Sequence, residues 1–321
     1  MTHYLVRRLF WAALVVFVVT LVTFAIFFLL PSGDPAYRFA GRQPDPQVIV
    51  QIRHELGLDH PWYVQYGLYV KHLFVGDRYG WPGLGFSYDT RVPIREELLT
   101  RAPRTLSLAI GAAIIWLVGG VAIGVVSAIR PRSIVDRVAM GFALVGISAP
   151  VFWLGLIALY VFWQKLHLLP GTGYVTFAQS PTGWFLHLVQ PWFVLALLYA
   201  AFYARMTRGI MLETMAQDYI RTARSKGLSR SRVVLGHGLR NGILPILTMF
   251  GIDLGLLLGG AIVTESVFNI QGLGYWVVTA VSTQDFPVVV AVVFVGACSI
   301  VLLNLLVDIG YVLLDPRVRY Q

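Results

Sequence analysis

Leu9 to Leu30 reads LFWAALVVFVVTLVTFAIFFLL, a run with no charge, no proline and no glycine. A helix of about 20 predominantly apolar residues is enough to cross a hydrocarbon layer of about 30 Å. Arg7 and Arg8 stand before the run, and Pro31-Ser32-Gly33-Asp34-Pro35 follows it. Proline removes a helical N–H and clashes with the preceding turn, so the helix is expected to stop there. The run is too long for a signal-peptide core and lacks a small-residue cleavage site before the loop. It is expected to stay as an uncleaved anchor.

Working outward, five more apolar runs are predicted to span: roughly 103–129, 138–163, 185–204, 243–264 and 287–314. The fourth carries His187, Gln190 and Pro191 and is the least apolar. Only 13% of the 321 residues are charged and 57% are hydrophobic. A water-soluble domain would carry about a quarter charged residues, so that class is excluded. The fold class expected is all-α integral membrane with about six transmembrane helices.

The first two spans are separated by a polar stretch, 31–101, long enough to form a small domain outside the membrane. It should contain a short amphipathic helix near 46–56. Its aromatic series Trp62, Tyr63, Tyr66, Tyr69 and Phe74 suits a segment resting at the membrane interface. The rest, 102–321, reads as a core of five spans with a long basic loop at 205–242.

Lysine and arginine set the orientation. The N-terminal tail, the 130–137 hairpin, the 205–242 loop and the C-terminal tail hold 15 of the 25 basic residues against four acids. The opposite side holds 10 of each. The net charge of +9 is therefore a one-sided topology signal rather than a nucleic-acid footprint. Both termini are expected in the cytoplasm. Cys298 is the only cysteine, so no internal disulfide can form.

Catalytic patterns fail one by one. None of Lys71, Lys165 and Lys226 follows a glycine, which rules out a phosphate-cradling Gly-Lys-Ser/Thr loop. His54-Glu55 is followed by Leu58 where a zinc helix needs its second histidine. Ser87 lacks the second glycine of a nucleophile elbow. Gly272-Leu273-Gly274 is not completed into a dinucleotide fingerprint. No catalytic residue, metal or cofactor is expected in this chain.

The longest basic loop reads DYIRTARSKGLS over 218–229 and RSRVVLGHGLRNGILP over 230–245. Asp218 to Lys226 is helix-compatible, and Gly227 is placed as a left-handed stop. Ser229 can cap a second helix reaching about Asn241. Tyr219, Ala223 and Lys226 share one face of the first helix, with Arg221, Arg224 and Leu228 on another. A short helix across the membrane surface is a rigid lever, and small Ala223 permits close approach by another surface.

This loop strongly resembles the coupling loop of ABC importer permeases, in the branch serving dipeptides, oligopeptides and nickel. Matches extend along the chain: Tyr4-Leu5-Val6-Arg7-Arg8, Gly33-Asp34-Pro35, Arg101-Ala102-Pro103-Arg104-Thr105-Leu106, Ser148-Ala149-Pro150-Val151-Phe152-Trp153, Thr264-Glu265-Ser266-Val267-Phe268-Asn269 and Leu314-Asp315-Pro316-Arg317. One departure is Arg221-Thr222-Ala223 where the general importer motif has Glu-Ala-Ala, a variant usual in the peptide branch. The missing glutamate leaves the partner contacts at Arg221 open. The resemblance implies a type I importer (MetI-like) fold with an extracytoplasmic insertion after the first helix. It implies a bacterial inner-membrane location, a second and paralogous permease, two cytoplasmic ATPases that bind ATP and magnesium, and an extracytoplasmic binding protein. It assigns Asp218, Arg221, Ala223, Gly227 and Leu228 to the ATPase contact, and Pro245 to the exit from the loop.

For the pathway, Asp253 lies ten residues into the fifth span, at a depth of about 15 Å. An ionisable group there is expensive and normally faces a cavity or a partner helix. Asn304, one turn from Asp308, and Ser148 are further candidates. Gly251, Gly255 and Gly259 repeat every fourth residue, as do Gly120 and Gly124, which suits close helix packing. The cargo implied is short peptides, with nickel, glutathione or oligosaccharides as alternatives within the branch. An ion-coupled secondary transporter would usually show matched halves and more intramembrane charge.

Overall fold

A computed structural model describes residues 2–29, 34–40, 45–87 and 89–314. Among these the regular structure is helical, with only two isolated β-bridges. The tail from Asp315 and the break at Pro31–Gly33 lie outside the described residues.

Four helices are long and apolar enough to cross a membrane: Val6–Leu29, Ile94–Ile129, Pro181–Met215 and Phe286–Val307. Two bent pairs pass the same test together, which gives six when each pair is one span. The helices are α1 (Thr2–Phe24, prolonged by a π-helical turn Ala25–Leu29), α2 (Pro35–Phe39), α3 (Pro46–Glu55), α4 (Trp62–Val75), α5 (Ile94–Ile129), α6 (Ile134–Ser148) and α7 (Val151–Ala158, prolonged as a π-helix Leu159–Lys165). They continue with α8 (Pro181–Met215), α9 (Asp218–Ser225), a π-helical segment (Arg232–Leu239), α10 (Arg240–Leu258), α11 (Ile262–Val267), α12 (Leu273–Thr283) and α13 (Phe286–Leu314).

Two expectations need correction. The third span is not one run over 138–163 but turns by 102° between α6 and α7. Pro150 supplies no N–H there, and the residue before a proline is pushed out of the helical region. Ala149 accordingly sits at φ −83°, ψ 127°. The fifth span ends at Leu258 rather than at 264, because Gly260 adopts φ +127° and its backbone meets Gly274. A Cβ on Gly260 would lie 2.5 Å from Gly274 Cα.

The chain packs as two units. One contains residues 1–106, 255–266 and 271–321. In it α1 lies along α13, and Phe24, Phe28, Phe39 and Ile52 form a core with Val290. Asp45 caps α3 by accepting from the Gln47 N–H at 2.9 Å. Gly255 lies against Ile300 and Gly259 against Gly296, so α10 and α13 approach almost backbone to backbone. Glu265 is fully buried. It accepts from the Thr105 hydroxyl at 2.8 Å and the Tyr275 N–H at 2.8 Å, stitching the start of α12 to α5.

Asp285, just ahead of α13, is also buried and accepts from the Ser87 hydroxyl. Burial pushes its carboxyl up to about 6; nearby Asp89 and Glu97 add to the rise and Ser87 opposes it. The fold favours the neutral acid, so its contribution is complete below the ordinary carboxylate range and is lost as pH rises through about 6. Melting of the purified protein should fall between pH 5 and pH 7, and Asp285→Asn should flatten that slope.

The other unit contains residues 107–254 and 267–270. Its frame is α6 and α7 on α8, and α5 on α8. Ser180 caps α8 by accepting from the Gly183 N–H at 3.0 Å, with Pro181 at the first helical position. A Cβ on Gly120 would meet Tyr203 Cβ at 2.7 Å, and one on Gly124 would meet the Ala204 carbonyl at 2.6 Å. Gly124→Leu should therefore force α5 off α8, costing about 1–3 kcal/mol as overpacking does. Thermal unfolding in detergent would read the loss.

Candidate functional site

The site builds from α9. Gln217 enters in extended geometry, and Asp218 in the first turn faces the positive end of the helix dipole. The helix stops as the sequence predicts, one residue early. Gly227 takes φ +73°, its N–H donates to the Arg224 carbonyl at 3.0 Å, and the Leu228 N–H donates to the Ala223 carbonyl at 3.4 Å. These two bonds are a Schellman stop, which needs the left-handed residue that glycine adopts most freely.

Leu228 then folds back onto a small apolar cluster of Ile220, Ala223 and Val233, flanked by Met215. The inward face of α9 is thus Ile220 and Ala223, which corrects the expected face of Tyr219, Ala223 and Lys226. Ala223 is covered by the chain's own Val233, while Tyr219 and Lys226 are exposed. The outward face carries Asp218, Tyr219, Arg221, Thr222 and Arg224, all exposed. Arg221 lies 3.5 Å from Asp218, but their side chains are 75% and 95% exposed, so the pair is worth little and leaves both groups available.

The seat of α9 is the π-helical segment, not the ordinary second helix expected from Ser229. A Cβ on Gly238 there would meet Met211 and Met215 of α8 at 3.1 Å. Val234 packs with Met211 and with Val125 and Ala128 of α5. The segment turns by 60° into α10, where Pro245 is exposed one turn in.

A second cluster in the same unit ties helix ends. Arg208 of α8 donates to both oxygens of Asp136, at 2.7 and 2.8 Å. Asp136 also accepts from the Arg132 N–H at 2.8 Å and from the Ser127 hydroxyl. Nearby, Arg230 donates to the Ile129 carbonyl at 3.1 Å, closing the end of α5.

Of the pathway candidates, Asp253 is half-buried and accepts from the Tyr203 hydroxyl at 2.8 Å. Tyr203 is fully buried beside Trp116, which stacks on Tyr199. Ser148 is exposed and donates to the Leu144 carbonyl of its own helix at 2.9 Å. No hydrogen bond joins Asp253 to Ser148 among the described residues. Asn304 is exposed on α13, and the Asp308 side chain lies outside the described residues. Gly251 is buried.

A family model described as "Binding-protein-dependent transport system inner membrane component" matches residues 120–320, and one for the N-terminal part of such components matches residues 1–109. The chain belongs to this family. It is an ABC importer permease with an all-helical MetI-like fold and several membrane spans. This permease is 41% identical to the di/tripeptide transport system permease protein DppB of Pseudomonas aeruginosa, over the whole of both chains. It is 39% identical to the dipeptide transport system permease protein DppB of Alkalihalophilus pseudofirmus and to the glutathione transport system permease protein GsiC of Salmonella choleraesuis, again over the whole of each pair. Permeases of this family are transport components that work with ATPases and a substrate-binding protein, not enzymes.

Three features of the permease were not read from its sequence. Asp136 and Arg208 were counted only as topology charges, though together they form a half-enclosed ion pair. Glu265 and Asp285, two of the ten acids on the side opposite the basic excess, are both buried. The available signal was weak: the threonine and serine that meet Glu265 and Asp285 lie 160 and 198 residues away.

Proposed function

We propose that this permease forms half of the channel of an ATP-driven importer of short peptides, and that α9 is the element through which separate ATPases act on it. The observation that carries the reading is the form of α9. It is a short helix, stopped sharply at Gly227 and seated on the chain's own core through Ile220, Ala223 and Leu228. Its polar face, Asp218, Tyr219, Arg221 and Arg224, is left exposed. In this arrangement Asp218 and Arg221 touch the ATPase, while Ala223, Gly227 and Leu228 hold the helix at its angle. Pro245 marks where the lever's motion enters α10, and Asp253, Ser148 and Asn304 are the pathway candidates.

The charge bias supports placing α9, the termini and the 130–137 hairpin in the cytoplasm of a bacterial inner membrane, with 31–101 as an extracytoplasmic insertion and 102–321 as the core. The lack of a Gly-Lys-Ser/Thr loop in the sequence supports ATP and magnesium being bound by partner subunits alone. Full-length relatives named for dipeptides, di/tripeptides and glutathione, itself a tripeptide, support peptide cargo. A paralogous second permease completes the channel.

Reconstitution tests this. Proteoliposomes holding both permeases, the ATPases and the binding protein should take up labelled dipeptide only with ATP. Arg221→Glu, at an exposed position, should cut uptake without changing the melting of the permease. Uptake without the ATPases, or labelling of a cysteine placed at Asp218 from outside intact cells, would refute the scheme.

A further inference from the structure

The unit that contains the 31–101 segment holds a half-open cavity of about 410 Å³ that plays no part in the coupling just described. That volume lies within the range of small-molecule sites, roughly 300–1,000 Å³. Its walls are largely apolar, with Phe28 where α1 ends, Phe39, Ile52, Leu73, and Val290 at the start of α13, but His54, His72 and Asp77 line it too. Its lining also includes Glu55 and Arg78, joined by an ion pair of 2.7 Å. Their side chains are 30% and 50% exposed, so this pair is hydrated and cheap to open. Gln51 donates to the same Glu55 oxygen at 2.8 Å.

The Asp77 carboxylate is taken up by the Tyr79 and Gly85 N–H groups at 2.7 and 2.9 Å. The charges left at this largely apolar well are therefore the Glu55–Arg78 pair, which selects a ligand with an apolar body and both charges. A short peptide has that form: a terminal ammonium for Glu55, a terminal carboxylate for the Arg78 guanidinium, and side chains for the well. An anionic phospholipid is the poorer match, since its headgroup calls for a cluster of bases. We propose that this cavity binds short zwitterionic peptides with apolar side chains, as a holding site on the permease itself. The inference rests on the reading of the chain as a peptide permease.

Photoaffinity labelling tests it, using a diazirine-bearing leucyl-leucine on the full-length permease complex in nanodiscs without binding protein. Label is expected on residues 52–86 or 287–291 and should be competed by leucyl-leucine. N-acetyl-leucyl-leucinamide, which lacks both charges, should compete roughly tenfold less well or worse, as should leucyl-leucine against Arg78→Gln or Glu55→Gln. Both variants alter a part-exposed pair, and unchanged melting would confirm that the fold persists. Label confined to other residues, equal competition by the uncharged analogue, indifference to both variants, or displacement by phospholipid but not by leucyl-leucine would each overturn the proposal. Leucyl-leucine uptake by the complete transporter is measured in parallel. Uptake with no labelling of the cavity overturns this inference alone, whereas no uptake of any peptide overturns the reading beneath it.

Discussion

Gly227→Val is expected to abolish uptake while leaving the permease folded and inserted. Gly227 sits at φ +73°, and nothing lies within 4 Å of where its Cβ would be. The penalty is thus conformational rather than steric. A left-handed residue other than glycine costs about 1–2 kcal/mol, and a β-branched one more. With about 1.4 kcal/mol per decade, the Schellman stop is depopulated roughly tenfold or beyond. Losing it releases Leu228 from Ile220 and Ala223, and α9 then no longer points where an ATPase would meet it. Gly227→Asn, which tolerates the left-handed region, should keep much of the activity. Gly227→Asp separates the two causes, since its backbone is also tolerated but it adds a negative charge to a basic loop. Loss in both Asp and Val variants with Asn active is the expected pattern. Full uptake by Gly227→Val would remove the stop from the mechanism.

The second large effect concerns Asp136 and Arg208. Arg208→Ala leaves Asp136, whose side chain is only 5% exposed, with two donors and no counter-charge. Removing one partner of a buried pair typically costs about 3–5 kcal/mol. Because Arg208 is itself 27% exposed, the lower end of that range applies. The change should appear as a marked fall in thermal stability and in the amount of protein recovered from membranes. Asp136→Ala should cost a comparable amount, since Arg208, the Arg132 N–H and Ser127 all lose an acceptor. The double variant should lose less than the two singles combined, because their coupling is removed only once. Strict additivity would mean that the two groups do not stabilise the fold through each other.

The spans were legible in the sequence because the requirement they meet is crude: enough consecutive apolar residues to replace water along a helix. The stop at Gly227 was legible too, since one residue type suits that backbone and its offset from the helix is fixed. The short helix at 46–55 was legible as an amphipathic stretch, and the structure adds the Asp45 cap and the Pro46 start. The corner at Ala149–Pro150 was missed because both sides of it are equally apolar, and hydrophobicity alone does not register a change of direction. Proline was the one available sign. The π-helical seat of α9 was out of reach, since widening a helix by one residue per turn leaves no mark in side-chain polarity. Burial of Asp136, Glu265 and Asp285 depends on partners as much as 198 residues away, and a linear reading has no access to them.

That corner between α6 and α7 carries a consequence of its own. A helix that breaks inside a bilayer strands carbonyl oxygens at its C-terminal end, and oil offers them nothing to bond. Bare backbone of this kind survives at such depth only against protein or beside trapped solvent. The stretch around Ser148 and Pro150 should accordingly be wet or walled in by protein. A seam of that kind in the hydrophobic barrier would let a polar passenger cross without ever meeting lipid.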